Sequence, residues 1–162
     1  MAIKLTEIRK KSLKDIKMIS KVDDAIDWDS DDTDWEAYSD SLDIEKLAFK
    51  EGAQPTYFVC DFELKEKDQR AIKNYLLTGK DTEGKPTFAF GDWSSEVTRR
   101  CLKKIEQPSD LNPMDRIPFE TDRDGFLNKK TMGILQRLNI VEEIFAQYGR
   151  LTGTEDRKNQ KN

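Results

Sequence analysis

The stretch Leu127–Leu151 limits the fold more than any other part of the chain. Ile134, Leu135, Leu138, Val141, Ile144, Phe145 and Tyr148 recur at steps of three and four, which predicts one apolar face of a long helix over residues 128–148. Asn128 stands where an N-cap belongs, and Gly149 where a helix would stop. A stripe of that width has to be covered, either by the rest of the chain or by a partner. Ile134, Leu138, Val141, Phe145 and Tyr148 are therefore candidates for a partner-binding face.

The rest of the chain has little apolar surface to offer. Of 162 residues, 36% are hydrophobic and 37% charged, with a mean hydropathy of -0.82. One domain, or one domain with tails, fits that length, with a heavily solvated surface. There is no histidine, which removes the commonest general base and the commonest metal ligand together. Carboxylates are so numerous that no pair stands out as acid and base. The residues therefore read as a non-enzymatic protein that needs no cofactor. Cys60 and Cys101 lie in regular-element patterns rather than a CxxC and read as buried free thiols, with a disulfide between them left open. No apolar run resembles a signal peptide or is long enough to span a bilayer, so the expectation is a cytoplasmic protein without a membrane partner.

Charge is laid out in blocks. Residues 1–22 are basic, with Lys4, Arg9, Lys10, Lys11, Lys14, Lys17 and Lys21. This is either an arm for an acidic partner or a helix paired with the acidic segment after it; no aromatic interleaves the lysines as a nucleic-acid groove would favour. Residues 23–45 reverse the sign, from Asp23 and Asp24 to Asp43 and Glu45, with Trp28, Trp35 and Tyr38 set between the acids. Three readings fit: a cation site, a mimic of nucleic-acid phosphates, or a solvated loop pinned by its aromatics. Trp28 and Trp35 join the candidate partner-binding residues.

Thr56–Leu64 alternates cleanly, with Phe58, Cys60, Phe62 and Leu64 on one face, and reads as a strand. A charged helix with Ile72 on its apolar face comes next. Thr87–Phe90 reads as a second short strand, and Asp92 or Ser94 as the cap of a helix carrying Val97, Cys101, Leu102 and Ile105. Pro108, Pro113 and Pro118 impose a loop. Asp122, Asp124 and Gly125 imitate the middle of a calcium loop. With Gly125 as its sixth residue the twelfth would be Thr131, not the bidentate Glu that closes such a site, so a tight turn is expected.

The expected fold is α+β and mainly α-helical, with a short strand or hairpin at 56–64 and 87–90, several helices, and the long C-terminal helix at 128–148. Residues 1–54 would form a charged N-terminal region, 55–151 a compact domain, and 152–162 a disordered polar tail.

Three pieces together, the strand running into LKEKDQRAIKNYL, then RRCLKKIE and PFETDRDGF, then LNKKTMGILQRLNIVEEIFAQYGRLTG with its Lys/Asn-rich tail, resemble the tail assembly chaperones of long-tailed bacteriophages. The likeness covers roughly residues 55–162. It implies a protein of the host cell cytoplasm, absent from the mature virion, that binds and solubilises a long helical tape measure protein during tail assembly. It leaves homo-oligomerisation open and implies no direct nucleic-acid contact. Two alternatives remain open: a small acidic inhibitor that mimics nucleic acid, and a structural virion component such as a connector.

Overall fold

The computed structural model describes residues 12–77 and 90–153, with side chains at 12–73 and 93–153. Within them the fold is α+β and mostly helical, with five α-helices and one small antiparallel sheet. The elements in chain order are β1 (Ile16–Met18), α1 (Trp35–Ser41), β2 (Tyr57–Cys60), α2 (Glu66–Leu77), α3 (Phe90–Cys101), β3 (Leu102–Glu106), α4 (Lys129–Arg137) and α5 (Ile140–Thr152).

The alternation in TYFVC makes β2 the middle strand, in the order β1-β2-β3. Its register places Ile16 against Cys60, Met18 against Phe58, and Ile105 against Phe58 from the other side. Phe58, Cys60 and, just beyond the strand, Phe62 point into the main core, as their spacing predicts. The opposite face carries Lys17, Val59 and Lys104 in one row. Val59 is nonetheless buried, as expected where lysine stems flank an apolar side chain. Glu106 accepts from both Lys17 and Lys104, at 3.3 and 3.1 Å, and these bonds hold its carboxyl below the usual range.

The partner strands are not the expected one. Residues 87–89 lie outside the described residues, and Phe90 begins α3. Leu102 and Ile105, expected on the helix, belong to β3. The other neighbour, β1, comes from the region expected to stand apart before residue 55. That boundary does not hold for residues 16–50: Ile19, Ile26, Tyr38 and Leu47 form a second small core against Tyr57. Residues 1–11 and 154–162, the outer parts of the expected basic arm and polar tail, lie outside the described residues.

The long C-terminal helix is two helices. Asn128 caps the first as expected, its side chain accepting from the Thr131 N–H at 3.0 Å. The helix then breaks at Leu138–Asn139. Asn139 sits in the left-handed region at φ 60°, and its N–H returns to the Gln136 carbonyl at 3.1 Å. Asn is, after Gly, the residue that tolerates this conformation best. α5 does not stop at Gly149, which is buried within it, but at Gly153, where φ is +76°. The break re-aims the second half, so that Ile140, Val141 and Ile144 enter the main core beside Val97 and Leu135. Burying each of these side chains contributes on the order of 1.5–3 kcal/mol.

One polar cluster ties α2, α3 and the Asp122–Phe126 turn together. Arg100 donates to Asp68 at 2.6 Å and to Glu96 at 2.9 Å, and its guanidinium lies over the Phe126 ring at 4.5 Å. Arg99 reaches Asp122 at 2.7 Å. The Asp122 carboxylate also accepts from the Asp124 and Phe126 N–H groups. The apparent calcium loop is thus an Asx-type turn whose first acid is already engaged.

Two substitutions test these features. Asn139→Gly should hold or raise stability and Asn139→Ala lower it by about 1 kcal/mol in urea unfolding, because Ala is strained at positive φ and the Asn side chain makes no cap bond to lose. An unbroken helix demands the reverse order. Arg100→Ala should cost roughly 1–3 kcal/mol, since it strands the largely buried Asp68 carboxylate and leaves Glu96 to Arg99 alone, and Arg100→Lys should recover less than half of that, lacking the planar fork.

Candidate functional site

With α5 turned into the core, most of the expected partner face is spoken for. Val141 is buried. Phe145 packs edge-on against Trp93 at 4.9 Å, and Tyr148 lies against Phe62 at 5.9 Å. Ile134 is half-buried on α4. Leu138 alone, at the break, stays exposed, at 37%. In the acidic segment Trp28 is 47% exposed and rests its ring 5.9 Å from Trp35, which meets the buried Tyr38 at a tilt, 5.2 Å away. The expected site residues therefore do not converge. Trp35 packs against the small second core with Trp28 outside it, and Val141, Phe145 and Tyr148 belong to the main one.

Leu138 instead is one of the residues lining a groove of about 810 Å³. Ile117, half-buried, and the exposed Val22 line it with Leu138, next to the core residues Phe58 and Ile140, and two loops contribute most of the rest. The first wall is the turn 20–25. Asp23 fastens it: one carboxylate oxygen accepts from the Ala25 N–H at 2.9 Å and the other from the Thr56 N–H at 2.7 Å. The turn closes backbone to backbone as Lys50 N–H donates to the Ala25 carbonyl at 2.9 Å.

The second wall is the loop 107–117, which leaves β3 and returns to the core. Its ends are joined by one side chain. Gln107 donates to the Ile117 carbonyl at 2.9 Å and accepts from the Ile117 N–H at 2.8 Å, a pairing like that of two strands. Arg116 crosses the loop to the Pro108 and Ser109 carbonyls, at 2.9 and 3.0 Å. Asn112 caps the short turn Pro113–Asp115, whose Met114 projects into solvent. A compact loop with joined ends is a common carrier of function.

The charge in this groove has one sign. Asp23, Asp24, Asp110 and Asp115 line it, and no lysine or arginine among the described residues does. Asp23 is committed to the backbone, whereas Asp24, Asp110 and Asp115 are exposed and offer their charge to whatever enters. No group of three or more metal-ligating side chains occurs among the described residues. Cys60 and Cys101 are free and buried, and burial pushes both thiols up, that of Cys101 to about 12. Thiols so protonated are poor nucleophiles. No helix among the described residues is long and apolar enough to cross a membrane.

A half-buried carboxyl supports the turn 20–25. Glu143 of α5 accepts from the Ser20 hydroxyl and the Lys21 N–H, both at 3.2 Å. Burial pushes its carboxyl above the usual range, and these two bonds pull it back only in part. Sequence reasoning passed over Glu143, Gln107 and Arg116. Each is an ordinary polar residue, and only the tertiary neighbour gives it a role.

Because the folded-state pKa of Glu143 is raised, its contribution to stability is present below the ordinary glutamate value of about 4.3 and is lost as pH rises through the raised one. Glu143→Gln should therefore gain thermal stability relative to the parent chain as pH is taken from 4 to 7, with the difference flattening once Glu143 is ionised in the fold. A pH-independent difference in melting temperature would contradict the burial of this carboxyl. Comparison of the chain with protein-family models, curated proteins and solved structures gave no match.

Proposed function

We propose that this protein acts by holding a segment of another protein in the groove between the loops 20–25 and 107–117, without catalysis. The observation that carries the reading is the groove itself: an open, partly apolar channel with preformed walls. Val22 and Leu138 supply exposed apolar contacts at its border, and preformed walls lower the ordering cost of binding. Its carboxylates supply charge, and Asp23 is held by two backbone N–H groups.

The resemblance to phage tail assembly chaperones suggests the client class. The client would be a tape measure protein, long, helical and poorly soluble alone, held in the host cytoplasm while the tail is built. The charged surface supports that role, because a chaperone has to keep its complex in solution. Most of the helix stripe is used inside the fold, so the client would meet the groove rather than the face from Ile134 to Tyr148. A second reading rests on the exposed acids Asp29, Asp31, Asp32, Asp34 and Glu36 beside Trp28. These would serve a mimic that occupies a nucleic-acid-binding surface.

Co-expression separates the two. The full chain should raise the soluble fraction of an aggregation-prone tape measure protein several-fold and co-purify with it. The pair Val22→Asp and Leu138→Asp should abolish both effects while the unfolding curve holds. Neutralising Asp29, Asp31 and Asp32 should change neither. A client equally soluble without this protein would end the chaperone proposal, and loss of binding only in the neutralised variant would move the function to the acidic loop.

A further inference from the structure

We infer that the groove selects a cationic segment, a stretch of a separate protein in which lysine or arginine alternates with apolar side chains. This deepens the reading that the groove holds a protein segment and rests on it. The inference comes from charge complementarity. Asp24, Asp110 and Asp115 all line the groove, two from the loop 107–117 and one from the turn 20–25, so an occupant meets carboxylates contributed by both loops. No described lysine or arginine lines the groove to neutralise them, and none of the three appears in an ion pair of 4.0 Å or less among the described residues.

The neighbouring faces differ in this respect. On the outer face of the sheet Glu106 is matched by Lys17 and Lys104, and along α3 Glu96 is matched by Arg99 and Arg100. In the groove, acids contributed by two separate loops are left without such partners next to exposed apolar side chains, Val22 and Leu138. An apolar peptide would leave those carboxylates partly desolvated and unpaired, and an acidic one would be repelled. A segment with apolar residues toward Val22, Ile117 and Leu138 and cationic heads toward the carboxylates satisfies both. Lysine and arginine stems are themselves apolar and can follow such a channel.

The test uses the full chain and labelled peptides in which leucine and serine alternate with lysine, glutamate or further serine, read by fluorescence anisotropy. The lysine peptide should bind at least tenfold more tightly than the other two. That preference should vanish as salt shortens the Debye length from about 10 Å to about 3 Å. Asp24→Asn, Asp110→Asn and Asp115→Asn together should weaken the lysine peptide about tenfold with an unchanged melting curve, as expected for three exposed charge pairs. Asp29→Asn, Asp31→Asn and Asp32→Asn together should leave it unchanged.

If the three peptides bind equally, or none binds while the client still co-purifies, the charge selection is wrong and the groove reading stands. If Val22→Asp with Leu138→Asp leaves both client and lysine-peptide binding intact, the groove reading falls as well. If replacing Lys4, Arg9, Lys10 and Lys11 with serine tightens peptide binding tenfold, the occupant is this chain's own basic segment. A dimer dispersed by the lysine peptide would make it a second copy. Either result overturns the assignment to a separate protein.

Discussion

The left-handed turn at Asn139 is the constraint on which the rest of the structure depends. A continuous helix from 128 to 148 would carry its apolar residues along one line, and a core this small cannot cover a line of that length. Reversing the backbone for one residue divides the stripe between two helices. α4 then covers the core with Met132 and Leu135, and α5 covers it with Ile140, Val141 and Ile144. Thr98, fully buried on α3, turns its hydroxyl toward the Val141 carbonyl at 3.4 Å, beside the break. The residue left over is Leu138. It caps α4, faces outward, and so becomes part of the groove.

A chain with few apolar residues then has to shape its loops by other means, and here it uses single polar side chains. Asp23 holds the turn 20–25, Gln107 and Arg116 hold the loop 107–117, and Glu143 braces the first from within. Hydrogen bonds of this kind contribute only about 1 kcal/mol each, but leaving one partner buried and unsatisfied costs more. Their effect is therefore on shape more than on total stability. The second core works the same way. Tyr38 is buried among Ile19, Ile26 and Leu47, and its hydroxyl accepts from the Ile19 N–H at 2.8 Å, while burial raises its pKa to about 12. Gln147 reaches across from α5 to the Ser39 carbonyl at 2.7 Å, joining this small core to the main one.

What was legible in the sequence was local. The alternation of Tyr57–Cys60 announced the central strand, Asn128 announced a helix start, and the proline run announced a loop. The mixed, mostly helical class came out of these. β3 was not legible, because Val97, Cys101 and Ile105 keep helical spacing through LKKIE, and only pairing with Phe58 and Val59 forces that stretch into a strand. β1 is three residues inside a lysine-rich run, too short to show a period. The break at Asn139 left a trace, an Asn between Leu138 and Ile140, but propensity alone ranks Asn little below many helix residues. The candidate site was almost wholly illegible. Of the candidate partner-binding residues only Leu138 lines the groove, joined by Asp23 and Asp24 of the acidic run, since walls made by loops meet in space and not in sequence.

The block pattern of charge gains its meaning from the same geometry. Read along the chain, residues 23–45 are one acidic run. In the fold they divide by role. Asp23, Asp34 and Asp43 accept backbone N–H groups at turn and helix starts, where a short carboxylate suits the exposed N–H groups. Asp29, Asp31 and Asp32 face solvent on the loop beside Trp28. Asp24 lines the groove, together with Asp110 and Asp115 from a loop more than eighty residues later. Two acidic surfaces thus arise from different causes, one from a local run and one from tertiary convergence. Only the second lies between loops fastened by side-chain hydrogen bonds, and on that difference rests the proposal that the groove, rather than the acidic run, takes a partner.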